Sequence, residues 1–415
     1  MSFRGSAEAS FVQHLFRNYY EKHYNNPFIP TQFDRREFGY MLFGQKIMVR
    51  HLSFRSFEEL KKTLAREAPL HVYRSAAVYQ YPQAPMEEKG WSGAELIFDI
   101  DADHLETSCK QVHDYCLCWG CGTVLESKAS KCPKCGGGDV AEVNMVCEEC
   151  LNKTKKELEK LIDFLSVDFG VEPSEMVISF SGNRGYHLAV CSDQIMQLDR
   201  AARLEVVEYI TGAHIELRLH GFSLTSADRS GPGFEDWGWG GRISRSCRSL
   251  LERLSARDEE VRRKLSERLK PKDLDNLAEV ARYWRDSPRW DLLKTGKRSP
   301  YLETLINFAV AESASHVDTV VTTDVHRLLR LADTLNGKTG LKACTVRLED
   351  LPCFNPLRDG VVLDGEQSVE VRVFPTPSFK LGEESYGPYG NEVVKLPVYA
   401  AAYLLCRGLA MLAKR

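Results

Sequence analysis

The sequence predicts a mixed α/β fold of the α+β type, interrupted by a small metal-binding insert. Segments of strand composition and segments of helical periodicity occur on both sides of residues 106–152. Residues 106–152 themselves are rich in Cys and Gly and poor in large aliphatic side chains. Because a helix and two strands follow this insert directly, we expect a mixed α/β layer in which helices flank the sheets.

Length and composition indicate a globular protein that works inside the cell. The 415 residues, 43% of them hydrophobic, are enough for two or three structural units. No apolar run approaches the roughly 20 residues that span a bilayer. Residues 1–20 lack the apolar segment of a secretion signal. We therefore expect a cytoplasmic protein with no membrane partner.

Charge is distributed unevenly along the chain. The net charge is −3, yet residues 241–300 contain 17 Lys or Arg and 10 Asp or Glu. Such a basic zone can bind phosphate groups even when the whole protein is acidic. The simpler alternative is a solvated helical surface with many ion pairs.

The N-terminal 105 residues are predicted to form a helix and then strands, at 46–50, 71–80 and 94–101. The last strand carries Asp99 and Asp101, which share a face because alternate residues of a strand do so. The two carboxylates start about 7 Å apart, and a half-buried pair requires a compensating cation. Mg²⁺ or Mn²⁺ would supply it, since both prefer oxygen ligands. Two solvated acids at a strand end are the alternative.

Eight of the 13 cysteines lie in the insert, mostly as close pairs. Thiols stay reduced inside the cell, so this spacing favours metal binding over disulfides. Two Cys-x-x-Cys-Gly knuckles are typical of a zinc ribbon, with the ligands Cys118, Cys121, Cys132 and Cys135. The flanking ligands can close a second tetrahedral site: Cys109, His113, Cys147 and Cys150. Cys116 is then an alternative ligand or a bystander, and both Zn²⁺ ions would be structural.

A helix, a strand, a turn and a second strand are expected after the insert. Thr154 with Glu157 matches a capping box at the start of the helix, and the apolar stripe that follows ends at Gly170. The strands are predicted at 176–180 and 187–190.

The turn between these strands contains Ser181, Arg184 and His187. A Ser-Gly turn exposes backbone amides and a hydroxyl, and the two larger side chains add reach towards a triphosphate. A plain hairpin with a surface arginine is the alternative.

Helices dominate the expectation for residues 195–295. The further elements predicted are a helix from Leu198 to Ile210 that ends at Gly212, a Gly-rich loop at 231–242, strands at 317–323 and 368–374, and an apolar helix at about 397–412.

The predicted strand 317–323 and the turn that follows it also carry charged side chains. Asp318 or Asp324 could provide a third metal ligand, and Arg330 and Lys338 could neutralise phosphate oxygens. A solvated strand end and an ordinary turn lysine are the simpler interpretations.

Together these elements resemble the catalytic small subunit of archaeal and eukaryotic DNA primase. The family's acidic strand is similar to residues 98–101, and its Ser-Gly-x-Arg-Gly-x-His signature matches residues 181–187 in full. Its third acid lies upstream of a basic residue and a Ser-x-His-x-Lys-like turn, similar to Asp318, Arg330 and residues 334–340.

The resemblance extends from about Phe38 to Gly340 and more loosely beyond. The knuckle with a histidine ligand is more similar to the archaeal form. Asn336 stands where the family has its turn histidine, and the zinc region is larger than a single knuckle.

This resemblance implies the archaeo-eukaryotic primase core, with mixed sheets, flanking helices, a zinc-binding insert and a helical subdomain. The implied division is a catalytic core of residues 1–105, 153–195 and 300–415, an insert of residues 106–152 holding knuckle and ribbon, and a mainly helical subdomain of residues 196–299.

The implied reaction joins nucleoside triphosphates on single-stranded DNA without a primer, by two-metal phosphoryl transfer with Mg²⁺ or Mn²⁺. The implied metal ligands are Asp99, Asp101 and, rather than Asp324, Asp318. The implied nucleotide ligands are Ser181, Arg184, His187, Arg330, Asn336 and Lys338. Arg50 and Arg74 are further candidates for phosphate contact, with ordinary surface arginines as the alternative.

The resemblance also implies a heterodimer with the primase large subunit.

Two other functions fit the same residues. A template-dependent repair polymerase of this superfamily would share the acids and the Ser-Gly turn. A zinc-ribbon nucleic-acid-binding protein without catalysis would need only the insert.

Overall fold

The computed structural model describes residues 3–25, 27–127, 129–223, 230–293 and 300–413. Its α-helices are Ser6–Lys22 (α1), Phe57–Glu67 (α2), Lys110–His113 (α3), Glu148–Asp163 (α4), Arg200–Thr211 (α5), Gly238–Ser255 (α6), Glu259–Ser266 (α7), Pro271–Val280 (α8), Pro300–Ser313 (α9), Thr319–Thr323 (α10), Pro356–Asp359 (α11) and Val398–Cys406 (α12).

The strands are Arg36–Met41 (β1), Met48–Leu52 (β2), His71–Tyr79 (β3), Trp91–Ala94 (β4), Leu96–Asp101 (β5), Tyr115–Cys118 (β6), Val124–Leu125 (β7), Val140–Val143 (β8), Met176–Phe180 (β9), Gly185–Val190 (β10), Leu328–Arg330 (β11), Thr345–Val346 (β12), Ser368–Val373 (β13), Phe379–Leu381 (β14), Glu384–Tyr386 (β15), Glu392–Pro397 (β16) and Ala410–Leu412 (β17). This mixture of helices and antiparallel sheets confirms the predicted fold class.

The chain forms two compact units. The first comprises Met1–Leu158, Glu172–Leu204 and Val317–Arg415, and the second comprises Glu159–Val171 and Glu205–His316. All the strands above belong to the first unit. The second is helical, and its buried Trp239 donates a hydrogen bond from Nε1 to the Tyr209 carbonyl at 2.9 Å.

Two sheets of the first unit carry the residues of interest. One has the order β11-β3-β1-β2, with β4 also paired to β3, and the other has the order β12-β9-β10-β5. Their pairs are antiparallel. A small apolar cluster joins the two sheets, and its members are Ala76, Ile97, Ala189, Val321 and Leu329. We call it the joining cluster.

The insert and the C-terminal segment form smaller sheets. Strands β7-β6-β8 make the ribbon sheet, and β16-β13-β17 make a C-terminal sheet. In the described part of the chain, no helix combines the length and apolar character needed to cross a membrane.

Several local predictions were wrong. Residues 319–323 form helix α10 instead of a strand, because the Asp318 side chain accepts hydrogen bonds from the backbone N–H groups of Val320 and Val321 and caps a helix there. The predicted C-terminal helix ends at Cys406, and strand β17 follows it.

The predicted capping box at Thr154 is also wrong. Thr154 lies inside α4, where its hydroxyl donates to the carbonyls of Cys150 and Leu151. The predicted loop 231–242 overlaps the start of α6 at Gly238.

A buried ion-pair network ties β3 to β1 and to the start of β5. Both carboxylate oxygens of Glu95 accept hydrogen bonds at 2.6 Å, one from Arg36 and one from Arg74. All three side chains are almost fully buried. Burial lowers the pKa of Arg36 to about 10, although the adjacent Glu95 opposes this shift.

Replacing Glu95 by Gln should therefore be strongly destabilising, because two buried guanidinium groups would lose their shared counter-charge. We expect a loss of about 3–5 kcal/mol in the free energy of unfolding, measured by urea denaturation followed by circular dichroism. The matched control is Asp350→Asn, which disrupts the exposed pair with Arg347 and should cost less than about 1 kcal/mol. Equal small losses in both variants would contradict a structural role for the buried network.

Candidate active site

The register of β5 and β10 brings the paired acids against the Ser-Gly turn. Asp99 lies opposite His187 and Asp101 lies opposite Gly185. The His187 Nε2 atom is 3.6 Å from Asp99 Oδ1. The alternate residues Phe98 and Ile100 are buried on the other face, so burial of that face fixes the direction in which the acids point.

A glycine is required opposite Asp101. A Cβ atom at Gly185 would lie 2.9 Å from the Asp101 Cα and would also collide with the Ile100 carbonyl. Because no side chain separates the strands there, β10 can approach the second acid closely.

The third acid reaches the same place from a different element. The backbone N–H of Asp318 donates a 3.0 Å hydrogen bond to the carbonyl of Asp99. Burial raises the pKa of Asp99, and the negative charges of Asp101 and Asp318 raise it further, while His187 opposes them. Carboxylate oxygens are the ligand atoms that hard divalent cations prefer.

Two turns meet at the other side of the site. The Asn336 Nδ2 group donates to the Ser181 carbonyl at 2.9 Å, and Thr339 Oγ1 donates to the Gly182 carbonyl. Gly182 has a φ of +74°, and a Cβ there would lie 2.8 Å from the Asn336 Cβ. The Ser181 hydroxyl accepts hydrogen bonds from the backbone of Asn183 and Gly185, so it shapes its own turn.

These elements enclose a cavity of about 190 Å³. Seven of the residues predicted for nucleotide or metal binding line it: Asp99, Asp101, Ser181, His187, Arg330, Asn336 and Lys338. Further polar residues that the sequence did not indicate also line it: His71, Tyr73, Asn183 and Arg327.

The cationic wall of this cavity is poorly neutralised. Arg330 Nη1 is buried, and no acceptor for it exists among the described residues; the guanidinium lies 5.1 Å from the centre of the Tyr73 ring. Burial lowers the pKa of Arg330. Burial also lowers the pKa of Lys338, and the charges of Arg184 and Arg330 lower it further. A bound anion would reduce the free-energy cost of burying these two cations.

Arg184 and Asp318 do not line the cavity directly. Arg184 forms an ion pair with Asp103, and its Nε lies 3.8 Å from Asp101 Oδ1. Asp103 also donates its backbone N–H to Asp101 Oδ1 at 2.9 Å. The sequence did contain a signal for Asp103: residues 99–103 alternate as Asp-x-Asp-x-Asp, a pattern that could have predicted a third acid on this face, within reach of Arg184.

The two early arginines are occupied by buried carboxylates. Arg74 is buried and bonded to Glu95, and Arg50 donates from Nε to Glu37 at 2.9 Å. The surface alternative is therefore wrong for Arg74, and its phosphate contact stays a prediction. Arg50 is half-exposed but is paired with Glu37.

Seven of the eight cysteines of the insert form two separate clusters, one of them together with His113, and Cys116 belongs to neither. In each cluster all ligand atoms lie within 4.8 Å of one another, and the members are Cys109, His113, Cys147 and Cys150 in one and Cys118, Cys121, Cys132 and Cys135 in the other. Either cluster could hold a metal ion. In the first, His113 Nε2 faces Cys150 Sγ at 3.3 Å while its Nδ1 lies 2.8 Å from Asp114 Oδ1, an arrangement that orients a metal-binding imidazole.

These features define a class of protein: an α+β protein with two Cys/His clusters that could hold metal ions and a cavity that combines carboxylates with unneutralised cations. Comparison with known proteins makes the class specific. The family model of the DNA primase small subunit matches residues 136–347.

Similar proteins extend over almost the full chain. The DNA primase small subunit PriS of Cenarchaeum symbiosum is 33% identical over 95% of this chain and 96% of its own. Those of Nitrosopumilus maritimus and Archaeoglobus fulgidus are 31% and 32% identical, over 98% and 96% of this chain and 99% and 97% of their own. The chain therefore belongs to the DNA primase small subunit family, as its motifs predicted, and these relatives are archaeal.

The raised pKa of Asp99 leads to a prediction about stability. A carboxyl group whose pKa is higher in the folded than in the unfolded state destabilises the fold once pH rises above the unfolded value. At pH 7, without divalent cations, Asp99→Asn should therefore increase the free energy of unfolding, measured by urea denaturation. The exposed Asp193→Asn is the control and should change stability by less than about 0.5 kcal/mol. A destabilised Asp99→Asn variant would contradict the electrostatic strain at this site.

Proposed function

We propose that this protein is the catalytic subunit of a DNA primase and synthesises short primers from nucleoside triphosphates on single-stranded DNA. Family membership supports the activity. The single observation that carries the assignment is the cavity in which Asp99 and Asp101 face Arg330 and Lys338. Such a cavity has one wall for divalent cations and another for the phosphates those cations accompany.

The acids are proposed to hold two Mg²⁺ or Mn²⁺ ions. Asp99 and Asp101 would bind both, and Asp318 would bind the ion nearer the primer 3′-hydroxyl. When bound, such ions activate the hydroxyl and stabilise the pyrophosphate leaving group. His187 lines the cavity with its Nε2 3.6 Å from Asp99 Oδ1, and burial lowers its pKa, so it would act as a neutral hydrogen-bonding group.

The basic turns are proposed to bind the incoming triphosphate. Arg330 and Lys338 present positive charge to the cavity, and Ser181 holds the turn in shape. Asn336 joins this turn to the one that carries Lys338. A triphosphate would compete with Asp103 for Arg184, so this arginine would bind substrate by exchanging one anion for another.

The two thiol clusters are proposed to hold structural Zn²⁺, since their ligands are Cys and His and each cluster supplies four. Contacts of the ribbon with the rest of the unit support a structural role. The Tyr115 hydroxyl donates to the Pro375 carbonyl at 2.8 Å, and the Arg4 guanidinium stacks 3.2 Å from the centre of the Trp119 ring.

We further propose that the chain works as a heterodimer with a primase large subunit, because its relatives are named small subunits. The three-part division into core, insert and helical subdomain remains a prediction. Co-purification with a co-expressed large subunit would test the partnership.

The catalytic assignment predicts that Asp99→Asn and Asp101→Asn each reduce nucleotide incorporation at least about a hundredfold, because each removes a charge that faces the reacting phosphates. The measurement is synthesis of labelled primers on unprimed single-stranded DNA. Asp318→Asn should have a similar effect.

Asp324→Asn is the matched control for Asp318. Asp324 lies close by in sequence, but its Oδ1 accepts the backbone N–H of His326, whereas the backbone N–H of Asp318 is bonded to the Asp99 carbonyl. The Asp324 variant should retain activity within about threefold. Undiminished incorporation by Asp99→Asn and Asp101→Asn would point to the non-catalytic nucleic-acid-binding alternative, and activity restricted to primed templates would point to a repair polymerase.

Metal content offers an independent test. We expect two Zn²⁺ per chain by elemental analysis, one Zn²⁺ after Cys121→Ser and one after Cys147→Ser, since each variant removes a ligand from a different cluster. Cys353→Ser, which changes an exposed cysteine outside both clusters, should leave two. A single Zn²⁺ in the unaltered protein would show that one cluster is not a zinc site.

A further inference from the structure

We propose that His71 is a nucleotide-binding residue that donates a hydrogen bond from Nε2 to a phosphate oxygen of the incoming triphosphate. This inference rests on the proposed function of the same cavity and adds a residue to it. His71 begins β3, lines the cavity and is 7% exposed.

The hydrogen bond of the other ring nitrogen fixes the role of Nε2. The backbone N–H of Gly337 donates to His71 Nδ1 at 3.2 Å. An imidazole that accepts at Nδ1 carries its proton on Nε2 when it is neutral, so Nε2 is a donor. Burial and the nearby charges of Arg330 and Lys338 keep the ring neutral.

The turn is shaped to make this contact. A Cβ atom at Gly337 would lie 2.6 Å from the carbonyl oxygen of Leu70 and would also collide with the Leu70 side chain. Only glycine lets the turn approach the start of β3 closely enough to reach the ring. The close contact with His71 therefore explains why the Asn-Gly-Lys turn has a glycine at its centre.

Nothing in the described chain uses the Nε2 donor. The hydrogen bond from Gly337 is the one that His71 makes with described residues. By contrast, both polar ends of the Asn336 side chain are engaged, Nδ2 with the Ser181 carbonyl and Oδ1 with the Lys338 backbone N–H. In a cavity with Arg330 and Lys338, the vacant donor matches an anionic oxygen.

Two amide substitutions distinguish the roles of the two ring nitrogens of His71. Asn places its amide near the position of Nδ1 and can still accept from Gly337, whereas Gln extends an N–H group to the position of Nε2. We expect His71→Asn to raise the KM for nucleoside triphosphate about tenfold or more, with kcat changed much less. His71→Gln should remain close to the unaltered protein. The exposed His14→Asn serves as the control.

Calorimetric binding of inorganic triphosphate in the presence of Mg²⁺ tests the site without requiring primer synthesis. His71→Asn should bind it about tenfold more weakly or worse, and His71→Gln should bind it normally. Equal affinity in all variants, equal weakening by Asn and Gln, or no binding by the unaltered protein would overturn the proposal. If the unaltered protein makes no primers but the Asn and Gln variants still differ in binding, the proposed function fails and the role of His71 stands.

Discussion

The joining cluster is the packing constraint on which the site depends. Its five apolar side chains come from β3, β5, β10, α10 and β11, and all are 7% exposed or less. Three polar groups of the site lie close in sequence to a member of this cluster: Asp99 lies two residues after Ile97, His187 two before Ala189, and Arg330 directly after Leu329. Side chains from five elements therefore converge because their apolar neighbours must be buried together.

Buried charges are neutralised in one region of the first unit, whereas a buried cation in another has no ion-pair partner among the described residues. In the network around Glu95, a buried carboxylate is shared by two guanidinium groups, and the bonds are short on both sides. In the cavity, burial and then the neighbouring acids raise the pKa of Asp99, while Arg330 has a buried nitrogen without an acceptor among the described residues. Side chains of both charges thus line one cavity, and a bound metal–phosphate complex would supply a counter-charge to each.

Local signals predicted the strands of the site well, and non-local contacts explain the rest. Strand β9 and the acidic strand followed from apolar runs bounded by turns. The run from Val317 to Thr323 contains β-branched residues and was predicted as a strand. It forms a helix instead, because the Asp318 side chain caps the first turn. His71 and Arg74 carry no local pattern that separates a cavity residue from a buried ion-pair partner, since only the folded neighbours Gly337 and Glu95 distinguish them.

Helix α10, found where a strand was predicted, fixes the orientation of the third acid, Asp318. A strand would leave the Asp318 side chain free to rotate, whereas as the cap of α10 it accepts two backbone N–H groups through Oδ1. A carboxylate has about four lone-pair positions, so these bonds fix its orientation and still leave oxygen sites for a cation. Val321, one turn further on, is buried in the joining cluster, and it holds this short helix in place. The cap and the cluster together anchor Asp318 beside Asp99 without a regular strand, so acids from two distant segments of the chain meet here.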